Sequence, residues 1–376
     1  MSLTLTAISV LGLGAAKPAS ASSLSYSITN LGILPGGSQS IANSINNSSQ
    51  MVGFSDTAGG ANHAFLYKND TMTDLGTLSG GYDSYAKGIN NSDMVVGYSD
   101  TTSSNYHAFL YNNGTMTDLG TLPGGYDSYA NSINNSGQVV GFSDTASANY
   151  HAFLYSNGTM TDLGTLLGSG SYDSYAKSIN NSGMAVGYSD NISGYYHAFL
   201  YNNGTMTDLD TLPGGYDSYA NGINNSGMVV GVSDTASGNY HAFLYSDGTM
   251  ADLGTLPGDY TSYAESINNS GMVVGYSSTS SSTSNAFLYD NGTMYNLNNF
   301  IPANSGWNLQ QADAINDSGQ IVGYGSLNGE GRAFLLTPNI TAVPEPDLAP
   351  GVLACGAFVA GTLSLGRRKK TCIKSI

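Results

Sequence analysis

The chain has 376 residues, 26 of them acidic and 10 basic, and charged side chains make up only 10 % of it, against roughly 25 % in ordinary soluble domains. Residues 22–342 hold 24 of the acidic side chains and, of the basic ones, only Lys68, Lys87, Lys177 and Arg332, so this stretch repels phosphate backbones and a nucleic-acid binder is excluded. Both cysteines, Cys355 and Cys372, lie near the C-terminus, which excludes a disulfide framework, a thiolate metal site or a Cys nucleophile from everything before them.

In chain order, the first element is an apolar stretch too short to span a bilayer, followed by Ala19-Ser20-Ala21. Small residues in that arrangement suit signal peptidase, so residues 1–21 are predicted to be a signal peptide cut after Ala21. The pattern departs from the usual one in that Lys17 follows the apolar run and no basic residue precedes it.

From residue 22 to 342 one unit recurs seven times. An Ile-Asn pair stands at Ile45, Ile89, Ile133, Ile179, Ile223, Ile267 and Ile315, each followed by an Ala-Phe-Leu segment. A fixed period of about 44 residues marks a propeller or a solenoid, and the array is read as one domain. The third unit shows four strands. Residues 129–134 form a short first strand, ended by the turn residues Asn135-Ser136-Gly137. Residues 138–143 are β-branched and aromatic, and form the second. A polar loop leads to the third, 150–155. Asn157-Gly158 is a two-residue hairpin turn, and residues 159–166 form the fourth. The middle strands are continuous apolar runs, Val-Val-Gly-Phe and Ala-Phe-Leu-Tyr, as expected of strands covered on both faces.

The ends of the array decide between ring and rod. The last unit stops at Thr337-Pro338-Asn339 without a fourth strand, while residues 26–34 are an unpartnered fourth-strand copy. A ring closes if the first strand completes the last sheet, which buries both edges. The predicted fold is therefore all-β, a seven-bladed β-propeller closed by its N-terminal strand. The repeat resembles the HAF family of probable extracellular repeats, through His-Ala-Phe at His63, His107, His151, His197 and His241, with Asp-Leu-Gly-Thr-Leu and Ile-Asn-x-Ser-Gly-x-Val-Val-Gly segments beside it. Units six and seven have Asn285 and Arg332 in place of the His. The resemblance implies an exported module and no particular reaction.

Residues 343–376 read as an address. Val343-Pro344-Glu345-Pro346 precedes an uncharged stretch, 348–366, and then Arg367-Arg368-Lys369-Lys370. Nineteen mostly apolar or small residues just cross a bilayer as a helix, and the basic cluster holds its end on the cytoplasmic side. Motif, spacing and order resemble the PEP-CTERM sorting signal of bacteria, with residues 371–376 as an extension. That resemblance implies an exosortase-type enzyme as partner and a protein released or re-attached outside the inner membrane. An ordinary single-span anchor is the alternative.

Candidate sites are few. The five histidines occupy one equivalent position on the third strand, too far apart to converge on a metal. Asp83, Asp127, Asp173 and Asp217 recur in Tyr-Asp-Ser-Tyr motifs, with Asp259 in a looser copy, and Asp100, Asp144, Asp190 and Asp234 recur in Ser-Asp loops. They read first as turn formers; calcium is the one ion such a ring would attract, and no other cofactor is expected. Glu265 and Glu330 are the only glutamates of the repeats and the candidates for an acid–base pair. The symmetry is most disturbed at residues 298–311, which contain Trp307, the only tryptophan, and at Glu330 and Arg332. Tyrosine, 27 residues in all, suits sugar stacking or protein contact. Tyr126, Tyr129, Tyr172, Tyr175 and Trp307 are the candidate ligand contacts. Asn-Gly-Thr at Asn113, Asn157, Asn203 and Asn291 reads as turn chemistry rather than as glycosylation. The expected function is that of a non-enzymatic exported scaffold or adhesion module of the cell surface or matrix, meeting extracellular polysaccharide or surface proteins. A lectin-like glycan binder is the alternative, and an exopolysaccharide hydrolase or lyase a more distant one.

Overall fold

The computed structural model describes residues 24–168, 172–280 and 283–339. The signal peptide and the sorting tail expected at 1–21 and 343–376 lie outside them. Among the described residues no helix is long and apolar enough to cross a membrane.

Each repeat folds where its turn chemistry permits. In the third, the strands are Ser128–Ile133, Val139–Asp144, Tyr150–Ser156 and Thr159–Asp162, paired antiparallel in that order. Asn157 at φ 51° and Gly158 at φ 81° form the left-handed hairpin turn that the Asn-Gly pair predicts. The fourth strand ends earlier than the expected residue 166, because Asp162 accepts the Gly164 N–H at 2.7 Å and turns the chain into the inter-blade linker. Asn30 does the same with Gly32 at 2.9 Å, which limits the N-terminal strand to Tyr26–Asn30 rather than residues 26–34.

Seven such four-stranded sheets form a β-propeller. Blades one to six span residues 40–74, 84–118, 128–162, 174–208, 218–252 and 261–296. Blade seven combines residues 307–338 with Tyr26–Asn30, whose register against the last strand runs from Tyr26↔Pro338 to Asn30↔Phe334. A short 3-10 helix, Leu297–Phe300, precedes this blade.

The core lies between the blades. Val96 and Ala108 of blade two pack with Ala130, Ile133, Val139 and Phe153 of blade three, and the same set recurs around the molecule. Every Phe of the Ala-Phe-Leu segments is fully buried, so the continuous apolar runs are sandwiched on both faces, as expected. Buried serines tie the blades together. Ser84 Oγ accepts from Ala64 N–H at 2.8 Å and donates to the Gly76 carbonyl at 2.6 Å. The seam repeats that bond, with Ala333 N–H donating to Ser40 Oγ at 3.0 Å.

Candidate functional site

The first strand of each blade faces the central axis and carries a β-bulge, seen as a register shift between Ala86 and Gly88 and its equivalents. A bulge re-aims the extra side chain. Here it turns Asn43, Lys87, Asn131, Lys177, Asn221, Glu265 and Asp313 into the channel as one ring. The ring forms the waist of a funnel of about 600 Å³ whose wider part is lined by Ile41, Phe54, Tyr98, Tyr129, Phe142 and Tyr324. That size is typical of small-molecule sites.

Tyr98, Tyr129 and Phe142 of the funnel wall belong to an aromatic belt. Tyr85, Tyr98, Tyr129, Phe142, Tyr175, Tyr188 and Tyr219 pack in succession, with centroids 4.7–5.0 Å apart. Burial, with the neighbouring tyrosines, raises the phenols of Tyr98 and Tyr188; Tyr98 rises to about 12. They are neutral hydrogen-bonding rings at any ordinary pH.

The waist is polarised. Its asparagines serve the scaffold: Asn43, Asn131 and Asn221 each donate to a carbonyl of the following blade at 2.7–2.9 Å. The charged members do not. Lys87 stands 6.0 Å from the centroid of Tyr98, and Lys177 stands 5.6 Å from that of Tyr188. Across from these blades lie Glu265 on blade six and Asp313 on blade seven. Among the described residues no ion pair joins the lysines to the acids. Asp313 Oδ1 accepts from Gln311 Nε2 at 2.7 Å, while its Oδ2 is buried without a partner. Burial pushes both lysines down and Glu265 up, although Lys177 and Lys87 partly counter the latter. Burial and the charge of Glu265 raise Asp313 to about 7. The result is a shielded site with cations on one side and reluctant carboxylates on the other.

The opposite end of the channel is scaffold. Asn46, Asn90, Asn134, Asn180, Asn224, Asn268 and Asn316 each donate from Nδ2 to the same carbonyl of the next blade at 3.0–3.1 Å, and Asn316 returns to Asn46. A second closed ring runs beside it through Asn47, its equivalents and Asp317. Burial would raise Asp317, but hydrogen bonds from Asn269 and Asn47 outweigh it and hold the carboxyl below its usual value.

The other sequence candidates fall into place around the funnel. Tyr82, Tyr126, Tyr172, Tyr216 and Tyr260 stand 42–69 % exposed at one equivalent position of blades two to six. They lie at the funnel end, where Tyr82 Oη donates to the Gly59 carbonyl of the preceding blade at 2.8 Å. Tyr126 and Tyr172 thus belong to an outer rim, and Tyr129 and Tyr175 to the inner belt. Trp307 is apart from both, half-buried against the core between blades six and seven and edge-on to Phe334 at 6.1 Å. Glu330 is exposed at the start of the strand Glu330–Pro338 of blade seven, paired with Arg332, and is separate from Glu265 on the axis.

Each histidine Nδ1 is bonded to the aspartate that ends the following strand, from His63–Asp74 to His241–Asp252, at 2.7–2.9 Å. Where that aspartate is Asn296 or Asn30, the histidine is Asn285 or Arg332. The pair therefore varies as a unit, as a structural contact does. Asp83 Oδ1 accepts the Asn62 N–H at 2.7 Å, and Asp100 Oδ1 accepts those of Tyr82 and Asp83 at 2.6 and 2.7 Å. The recurring aspartates thus act in turns and between blades. Among the described residues no group of three or more His, Cys, Asp or Glu is placed to hold a metal ion.

Sequence reasoning passed over Lys87, Lys177 and Asp313. The signal was present: the residue two before each marker Ile reads Asn, Lys, Asn, Lys, Asn, Glu, Asp, a mixed-charge column in a chain otherwise poor in charge.

A family of unknown function, DUF3466, matches residues 213–333. No curated relative matches the chain. Among solved structures, an oligogalacturonate lyase in complex with manganese is similar with a TM-score of 0.55 and 11 % identity, over 84 % of this chain and 97 % of that one. The oligogalacturonate lyase of Vibrio parahaemolyticus is similar with a TM-score of 0.52 and 8 % identity, over the same shares. At such identities the likeness concerns the fold alone.

Proposed function

We propose that the chain is an exported, non-enzymatic binding module of the cell surface or extracellular matrix, which holds polysaccharide on the funnel-side rim. The observation that carries this reading is the set of five exposed tyrosines at one equivalent position of five consecutive blades. Each offers an exposed aromatic surface for sugar stacking at little conformational cost. Equivalent weak sites on a rigid ring add up through multivalency, which suits a long repeating polymer. The acidic surface favours neutral glycans over anionic ones. The N-terminal A-x-A segment and the Pro-Glu-Pro tail, with signal peptidase and an exosortase-type enzyme as partners, supply the export part of the proposal.

The test is affinity electrophoresis of the full chain through gels containing neutral and anionic exopolysaccharides. Retardation by a neutral polymer is expected, with its progressive loss as Tyr82, Tyr126, Tyr172, Tyr216 and Tyr260 are changed to Ser. Retardation unchanged in the fivefold variant, or absent with every polymer, overturns the reading. The hydrolase or lyase alternative draws on Glu265 in the funnel. It replaces the first reading if the same polymers are shortened by the parent chain and left intact by Glu265→Gln.

A further inference from the structure

We infer that the polarised waist of the channel is a site for one small zwitterion, whose carboxylate lies toward Lys87 and Lys177 and whose ammonium lies toward Glu265 and Asp313. This goes beyond the rim, which repeats five times; the waist exists once per molecule.

Three observations carry the inference. The first is expenditure of charge: residues 22–342 contain four basic side chains, and two of them stand on this single ring. One of the two glutamates of the repeats stands there as well. Charges are costly away from bulk water unless they are paired, and nothing in the scaffold calls for them, since asparagine at the same position bonds to the next blade.

The second is that the charges of the ring act on one another only across the cavity, without contact. Among the described residues neither lysine ammonium makes a hydrogen bond or ion pair; each leans toward a tyrosine ring instead. Asp313 Oδ2 is buried with no partner. Two cations on blades two and four face two acids on blades six and seven, with a gap between them.

The third is shape. The waist opens into a funnel of about 600 Å³ whose wall includes Tyr98, Tyr129 and Phe142, low-dielectric surroundings in which charges act on one another more strongly than in water. A carboxylate or an ammonium alone would satisfy one side and leave the other uncompensated. A molecule carrying both satisfies the two sides together. Amino acids, short peptides and amino-sugar acids share this chemistry.

Isothermal titration of the full chain tests it, with glycylglycine, glycyltyrosine and muramic acid as probes. Each is compared with its N-acetylated form, and each peptide with its C-amidated form as well. At least one zwitterion is expected to bind with one site per chain, the peptide and sugar arms telling which source is preferred. Capping either end of that probe should weaken binding roughly tenfold or more, as expected for the loss of a charged hydrogen bond. In Lys177→Met the amide should cost nothing further, and in Glu265→Gln the acetyl group should cost nothing further. That pattern distinguishes direct contact from damage to the fold, and a single cooperative melting transition in each variant supports it. Binding should persist in the rim-tyrosine variants, so this result and the polysaccharide result stand or fall separately. If no probe binds at millimolar concentration, or capped and free forms bind alike, the inference is wrong and the charges serve only to balance one another.

Discussion

Asp313 shows how a single bulge residue sets a property of the whole protein. Its carboxyl rises from an ordinary 3.8 to about 7, chiefly through burial and then through the charge of Glu265. The titratable groups that act on it or feel its charge are Glu265, itself pushed up, Lys87, pushed down, and Tyr276, pushed up. Between the lower and the higher value the folded protein binds more protons than the unfolded chain, so stability falls as pH climbs through that window. Below it both states are protonated and there is no penalty; above it both are ionised and the penalty is complete. Asp313→Asn removes the charge and keeps an oxygen for Gln311. Its melting temperature should exceed that of the parent at about pH 8 and converge on it at about pH 4, followed by circular dichroism. An offset that does not change with pH would mean that this carboxyl is not raised. None of this is legible in the sequence at residue 313 alone, because an Asp before Ala-Ile-Asn looks like another turn former. Only alignment of the seven first strands reveals the column, and only the bulge reveals that the column points inward.

At the scale of the strand, the Val-Val-Gly segment has a physical reason that periodicity did not supply. The bulge pushes the Tyr85 carbonyl against the second strand, and a Cβ placed on Gly97 would stand 1.9 Å from that oxygen. Glycine within a strand marks such a close backbone approach, and it recurs in all seven blades at Gly53, Gly97, Gly141, Gly187, Gly231, Gly275 and Gly323. Gly97→Ala should therefore destabilise the protein by about 3 kcal/mol, at the upper end for overpacking. Gly59→Ala, whose Cβ would meet only Thr57 Oγ1 at 3.9 Å, should stay within about 0.5 kcal/mol of the parent. Equilibrium denaturation in urea measures both, and equal costs would refute the steric account. The four strands of each blade could be read from the sequence because apolar runs and Asn-Gly turns announce them. Their ends were misjudged at residues 30 and 162, where a side-chain oxygen captures the N–H two residues on. Such a local competition with the ladder leaves no trace in hydrophobic patterning.

For the molecule as a whole, ring closure was legible from the complementary ends of the array, because an unpaired fourth-strand copy and a last unit lacking one fit each other. The doubled asparagine ring was not. Ile-Asn-Asn-Ser-Gly reads as turn chemistry in any single repeat, and its bonds run from blade to blade, so they appear only when neighbouring blades are packed together. The seam is held by the inter-blade contacts that every other pair of blades makes, Asn316 to Asn46 and Ala333 to Ser40 among them, and in addition by Tyr26–Asn30 on the outer edge of blade seven. The two kinds are not equal. The asparagine bond is one contact among seven around the ring, whereas the strand covers the open edge of the last strand and supplies Tyr26 and Ile28 to the core beside blade six. Without it, a long apolar strand containing Phe334 and Leu336 presents unpaired backbone groups, an invitation to intermolecular pairing. Deletion of Tyr26–Asn30 should therefore convert a monomer with one cooperative transition into aggregates or domain-swapped oligomers on size-exclusion chromatography. Supplying the segment as a separate peptide should partly restore the monomer, since the vacated edge pairs with a strand in the original register. A deletion variant that stays monomeric with an unchanged melting curve would show that the asparagine ring and the inter-blade core suffice to close the circle. The N-terminal strand would then be a cover for the edge rather than the clasp.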